Sequence, residues 1–285
     1  MKGSHRPAGS KPILNLASKG PIVVYPTSTI KQASKVIVDN GLRRLPVVNP
    51  GTRRLAGILS TMDFVDFFGG GDKFNILQKD YKGNFLSAIN SSVSKIMTEN
   101  VVNVKDSESV EDVAQLMLKE GVGGCPVVDS NGVVIAIVSE RDFIKHISGM
   151  KFGLTAGDVM TKRVITVTPG TSIKDAARIM VKNSLRRLPV LSEDKLVGVL
   201  RTYELLKFIG GNGFAKFHTA DVEAILGEKV SNVMNVALIT VTKDQDIGDV
   251  AALMSSKRFG GFPVEERGRI IGLITEKDIF QAVYS

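Results

Sequence analysis

The chain has no tryptophan, one cysteine, three histidines and an aromatic share of only 6%. Each scarcity removes something. The lone Cys125 can form no internal disulfide and build no thiolate metal cage. His5, His146 and His218 stand far apart, without metal-ligand spacing, so no metal site is expected. Few aromatics mean few platforms for stacking nucleic-acid bases. No apolar run approaches a membrane span, the longest clean one being Val133 to Val138, and nothing resembles a secretory signal, so a cytoplasmic protein with no membrane contact is expected. The glycine clusters Gly69-Gly70-Gly71 and Gly210-Gly211-Asn212-Gly213 lack the Gly-Lys-Ser/Thr of a phosphate-binding loop, and no Gly-x-Ser-x-Gly elbow is present. With no catalytic constellation in view, neither an enzyme nor a catalytic cofactor is expected.

What is present is an ordinary globular composition, 43% hydrophobic and 23% charged over 285 residues, long enough for two domains or a set of repeats. The net charge is 37 − 29 = +8. Half of it lies in residues 1–20, where Lys2, Arg6, Lys11 and Lys19 meet no acid; with Gly3, Ser4, Pro7, Gly9, Ser10 and Pro12 among them, this segment reads as a disordered basic tail.

One pattern then recurs four times. Pro46, Pro126, Pro189 and Pro263 each open a Pro-Val pair, and each lies 16 residues after an aliphatic residue, Ile30, Val110, Ile173 or Ile247. From those aliphatics the apolar positions run at helical spacing: Val110, Val113, Ala114, Met117; Ile173, Ala176, Ala177, Met180; Ile247, Val250, Ala251, Met254. The first copy is looser, with Ser34 in place of one small apolar residue. β-branched runs such as Val101–Val104 and Val164–Val167 predict an opening strand, and two further strands follow each helix. In copy two, Asn131-Gly132 predicts a hairpin turn with positive φ angles. Each copy thus reads strand, helix, strand, strand, helix, an α+β unit too small to bury both faces of its sheet alone.

Copies one and three share Leu-Arg-Arg-Leu-Pro-Val (42–47 and 185–190), whereas copies two and four carry Gly-Gly before the residue preceding Pro-Val. This alternation predicts two tandem modules, 21–150 (copies 21–70 and 95–150) and 151–285 (copies 157–210 and 230–285).

Each copy closes on a small residue, two aliphatics, a hydroxyl, and an acid three positions later: Ser60/Asp63, Ser139/Asp142 and Thr275/Asp278. Copy three departs, with Arg201/Glu204. Ser/Thr-x-x-Asp at a helix start is also the capping box, a structural device. The same corner can hold an anion, because unpaired N–H groups and a partial positive charge gather there, with Arg141 and Lys277 placed to add charge-assisted contacts.

These repeats resemble the cystathionine β-synthase (CBS) domain family, in which two copies form a tandem module and two modules can stack into a disc; the likeness covers residues 21–285. The resemblance implies that adenine nucleotides or related adenosine derivatives, AMP first, bind in clefts between paired copies, the acid holding ribose, the hydroxyl holding phosphate or ribose, and adenine lying between strands. By position this nominates Ser139, Asp142, Thr275 and Asp278 first and Ser60 and Asp63 next, with the strand aliphatics Ile58, Ile137 and Leu273 beside them. Thr166 and Thr240 are candidates for base or sugar, although strand propensity more often accounts for such threonines; Arg43-Arg44 and Arg186-Arg187 are candidates for phosphates, and a solvated surface explains them equally well. Arg201 has three readings: it grips a phosphate, fills its own pocket or leaves the site empty. The function expected is a nucleotide-sensing regulator acting on another polypeptide or on its own assembly, a homodimer included. Two other classes stay open: a nucleic-acid-binding protein using the tail and the paired arginines, and a ligand-free scaffold.

Overall fold

The structure, a computed structural model, describes residues 11–210 and 213–285. Lys2, His5 and Arg6 of the basic tail, and Gly211 and Asn212 of the second glycine cluster, lie outside the described residues.

All four copies fold alike. The opening helices are Ile30–Asn40, Val110–Lys119, Ile173–Lys182 and Ile247–Lys257, started by Thr29, Ser109, Ser172 and Asp246, whose side chains accept from a backbone N–H in the first turn. Their buried faces are the residues the spacing picks out. Ser34 stays in that buried face because its hydroxyl donates back to Lys31 O at 2.9 Å, satisfying itself within its own helix.

After each helix comes an antiparallel pair: Arg44–Val48 with Leu55–Ser60, Gly124–Val128 with Val134–Ser139, Arg187–Ser192 with Lys195–Arg201, and Gly261–Glu266 with Arg269–Thr275. Each pair breaks register at the same place, after Val47, Val127, Val190 and Val264. Cys125, opposite Val138, is fully buried like Leu45, Leu188 and Phe262 at its position. At the copy-two turn only Gly132 takes a positive φ, +76°; Asn131 does not, because the Asp129 carboxylate accepts from the Asn131 and Val133 N–H groups and shapes the turn instead.

Two expectations need correction. The opening strands shrink to Val104–Lys105, Val241–Thr242 and single parallel bridges, Val24 with Val47 and Val167 with Val190, since the chain runs alongside the central strand for only a residue or two. Residues 11–20 of the tail are ordered. Ile13 and Ala17 are buried in a hydrophobic cluster, and Ser18–Lys19 forms an edge strand on copy two; these apolar residues outweigh the local excess of charge.

That edge strand belongs to a general arrangement. The segment leading into copy one pairs with copy two, Ser18 opposite Ile137, while the one leading into copy two pairs with copy one, Thr98 opposite Ile58. Copies three and four repeat the exchange, Thr161 opposite Leu273 and Asn235 opposite Val199.

The chain divides into two compact units that cut across the tandem groups drawn from chain order. An odd unit, Ile22–Asn100 with Ile165–Leu238, gathers copies one and three. An even unit, the segment up to Pro21 with Val101–Val164 and Ile239–Ser285, gathers copies two and four. In the odd unit the closing helix Thr202–Gly210 packs on the opening helix of copy one, and the turn Asp66–Gly70 packs on that of copy three. The glycines make this possible: a β-carbon on Gly70 would lie 2.2 Å from Val181 Cγ2, and one on Gly210 3.1 Å from Lys35 N and Ser34 Oγ. In the even unit the closing helices Glu140–His146 and Glu276–Tyr284 pack on each other and on the opening helix of the opposite copy, with Phe143, Phe280 and Tyr284 in mutual ring contact.

Candidate functional site

The three hydroxyl and acid motifs, and Arg201 with Glu204 in copy three, occupy equivalent corners where the second strand of a pair ends and the closing helix begins. The strand's last residue is the helix cap, and the acid, one turn on, folds back to it. At the copy-two corner Asp142 Oδ2 accepts from Ser139 N at 2.8 Å and Ser139 Oγ at 2.7 Å. At copy four Asp278 Oδ2 accepts from Thr275 N at 2.7 Å and Oγ1 at 2.6 Å, and at copy one Asp63 Oδ2 accepts from Ser60 N at 2.6 Å and Oγ at 2.7 Å. These three corners are therefore capping boxes, and in each one carboxylate oxygen is committed to the fold.

The other oxygen separates the units. In the even unit Asp142 Oδ1 accepts from the Ser18 hydroxyl at 3.1 Å and Asp278 Oδ1 from the Thr161 hydroxyl at 3.3 Å. Both donors come from the exchanged lead segments, and among the described residues no cation forms a salt bridge with either acid. In the odd unit Asp63 Oδ1 meets the Lys73 ammonium, which also donates to Ile96 O at 2.6 Å. In copy three Arg201 turns onto Glu204: Nε lies 3.0 and 2.9 Å from the two carboxylate oxygens, Nη2 bonds Oε1, and the Arg201 N–H donates to Oε2 at 3.0 Å. Glu204 is buried beneath it.

The residue facing the cap across the strand pair differs in the same way. It is Gly124 opposite Ser139 and Gly261 opposite Thr275, but Arg44 opposite Ser60 and Arg187 opposite Arg201. Gly124 is required there: its φ is +152°, and a β-carbon would lie 2.5 Å from Val138 O. Arg43 and Arg186 sit half-buried one residue earlier, their carbonyls accepting from the first N–H of the closing helices, Thr61 N and Thr202 N, both at 3.0 Å.

Ile58, Ile137 and Leu273 lie where the lead segments cross the strands. Arg141 Nε lies 3.6 Å from Oε1 of the buried Glu276, so it links the closing helices of copies two and four, whereas Lys277 is exposed. Thr166 and Thr240 are half-buried just ahead of the bridge at Val167 and the strand at Val241, not within strands. Among the described residues no group of His, Cys, Asp or Glu could hold a metal ion, and no helix is long and apolar enough to cross a membrane.

Sequence reasoning missed the lead residues Ser18, Thr98, Thr161 and Asn235. A signal existed: the residue before each, Ala17, Met97, Met160 or Met234, lies 13 positions ahead of the first aliphatic of an opening helix. Lys73 had none, since it stands in the segment after the glycine cluster of copy one, outside the repeated pattern.

The family model for the CBS domain matches residues 13–70, 93–149, 156–211 and 230–285. The chain belongs to the CBS domain family and carries four copies of its repeat. Among individual proteins it is 37% identical over 273 residues to MJ1225 of Methanocaldococcus jannaschii, covering 94% of this chain and 98% of that protein. The crystal structure of MJ1225, whose description likens it to γ-AMPK, matches with a TM-score of 0.89 at 36% identity over 95% of this chain and 99% of that one. A protein of the Thermofilum pendens ribosomal RNA operon is 25% identical over 281 residues, covering 98% of this chain and 91% of its own length. CBSX2 of Arabidopsis thaliana is 28% identical over 223 residues, covering 66% of this chain and 90% of its own length; a crystal structure of CBSX2 in complex with AMP covers 46% of this chain and 96% of its own at a TM-score of 0.39.

Proposed function

We propose that this protein is a nucleotide-sensing regulator that binds an adenine nucleotide, AMP before ADP or ATP, at the strand-to-helix corners of its CBS repeats. One observation carries the reading: at Asp142 and Asp278 one carboxylate oxygen is fixed by the corner itself, while the other accepts, among the described residues, from a neutral hydroxyl at 3.1 or 3.3 Å. A carboxylate oriented in this way is an acceptor for vicinal ribose hydroxyls, which can replace one long bond from a chain hydroxyl with shorter bonds of the same charge-assisted kind. Arg141 and Lys277 stand beside the acids to meet phosphate. Ile137 and Leu273 offer apolar surface to the base, and Thr166 and Thr240 polar contacts to base or sugar. Ser60 with Asp63 and Arg201 with Glu204, and Arg43 and Arg186 beside them, hold the equivalent positions of the other two copies and are not among the contacts this reading requires. Binding that differs between two conformations of the chain shifts their populations. The output is a separate cytoplasmic polypeptide or the assembly of this chain with itself; CBS repeats regulate rather than catalyse.

A second reading has an observation in its favour, since every corner satisfies its own hydrogen bonds and needs no ligand: the repeats then form a scaffold. Calorimetric titration with AMP, ADP, ATP, S-adenosylmethionine and an RNA oligomer decides. Saturable binding of an adenosine compound that Asp142→Ala or Asp278→Ala weakens at least about tenfold supports the proposal. RNA binding alone, lost as salt rises, replaces it with nucleic-acid recognition. No heat from any of them leaves the scaffold.

A further inference from the structure

We infer that this chain has a ligand capacity of two, both places lying in the even unit, because the corners of copies one and three are already occupied by the chain's own cations, Lys73 and Arg201. The inference rests on the nucleotide-binding reading above and adds what that reading leaves open, which corners can accept a ligand.

The distinction is between neutral and charged occupants of one atom. The second oxygen of Asp142 accepts from Ser18 at 3.1 Å and that of Asp278 from Thr161 at 3.3 Å. Both are long bonds from a neutral hydroxyl, and a ribose hydroxyl replaces such a donor with one of its own kind. At Asp63 the occupant is an ammonium held at a second point, the Ile96 carbonyl, with the Lys73 and Asp63 side chains 24% and 12% exposed. At Glu204 it is a guanidinium that uses Nε and Nη2 on both carboxylate oxygens, while the Glu204 side chain is 8% exposed. To bind ribose there, a ligand must first separate a largely buried ion pair and leave one charge without its partner. That costs more than exchanging one neutral hydroxyl donor for another returns. The residue facing the cap agrees: glycine in copies two and four, against arginine in copies one and three.

Lys73 and Arg201 reach this state from different directions. Arg201 replaces the hydroxyl of its own corner, whereas Lys73 comes from the turn after the closing helix of copy one. Two unrelated changes thus end in the same closed corner, and both fall in the odd unit.

The test is the stoichiometry of the full chain titrated with AMP and, separately, ATP. We expect about two sites, one lost in Asp142→Ala, one in Asp278→Ala and both in the double variant, while Asp63→Asn and Glu204→Gln keep two sites with Kd changed by less than about threefold. Thermal unfolding checks that each variant is folded, and Ser60→Ala serves in place of Asp63→Asn if that variant is not. A stoichiometry near three or four, or a site lost in Asp63→Asn, Ser60→Ala or Glu204→Gln, overturns the inference while leaving nucleotide binding itself intact. Binding of two that survives the double alanine variant overturns the placement of the sites. No saturable binding of either nucleotide removes the reading on which the inference stands.

Discussion

The sulfur of Met234 occupies the space a β-carbon on Gly198 would need, 2.4 Å from its ideal position. The lead segment of copy four thereby seats itself on the second strand of copy three, with Asn235 in register with Val199 one residue along. The same fit recurs as Met97 on Gly57 at 2.7 Å and Met160 on Gly272 at 2.2 Å. Copy two has Ala17 and Ala136 at these positions, both buried, so it splits the volume evenly instead of large against nothing. Gly198→Ala overpacks the contact and should cost about 1–3 kcal/mol, while Met234→Ala should cost about 2 kcal/mol through lost packing. Together they recreate the copy-two solution, so the double variant should be more stable than the sum of the singles by at least about 1 kcal/mol in denaturant unfolding.

Thr202 donates its hydroxyl to that of Thr61 at 3.0 Å, with both residues at most 5% exposed. The equivalent positions of the even unit are the buried Glu140 and Glu276. Thr202→Val leaves the Thr61 hydroxyl without this partner and should lower stability by about 1–2 kcal/mol, whereas Thr61→Val with Thr202→Val should come within about 0.5 kcal/mol of the parent. A double variant as unstable as the single would show that packing, not the hydrogen bond, matters there.

Burial pushes the Glu228 carboxyl up, but Lys216, the Asn232 amide at 2.6 Å and the Lys229 N–H at 3.0 Å outweigh it and hold the group below its ordinary value. A depressed carboxylate stabilises the folded chain above its unfolded pKa, near 4.3, and loses that contribution as pH falls through the folded value. Glu228→Gln should therefore lower stability by about 1 kcal/mol at pH 7, with the gap from the parent closing below about pH 4. A gap that stays constant from pH 7 to pH 3 would assign the loss to geometry and not to charge.

The Tyr284 hydroxyl is buried with no hydrogen-bond partner among the described residues, and burial pushes its pKa up to about 12. Its ring packs against Phe143 and Phe280. Tyr284→Phe keeps the ring and removes the orphan oxygen, so stability should be unchanged or raised by up to about 1 kcal/mol. Loss of more than that would mean the hydroxyl serves a contact the folded chain needs.

Much of the fold was legible because it depends on period and spacing. The helix faces from Ile30, Val110, Ile173 and Ile247 follow from apolar residues three and four apart, and repetition removed the ambiguity of any one copy. Even the irregular Ser34 keeps its place on the face. The tail was misjudged because composition averages over residues: Ile13 and Ala17 are few among charges and glycines, yet burying them is enough to order the segment. The glycine clusters show in sequence only that they are no phosphate-binding loop, while Gly70 and Gly210 act as contacts with helices more than a hundred residues away. The corners were readable as Ser/Thr-x-x-Asp, but not what stands on the second oxygen of each acid.

Local chemistry thus determined the repeat itself, its helices, strand pairs and capped corners, since each depends on residues a few positions apart. Which copies cluster, how the lead segments are exchanged, and whether an acid faces Ser18 and Thr161 or Lys73 required the folded chain. Those outcomes depend on groups brought within about 3 Å of one another across long stretches of sequence, and no pattern along the chain encodes a distance through space.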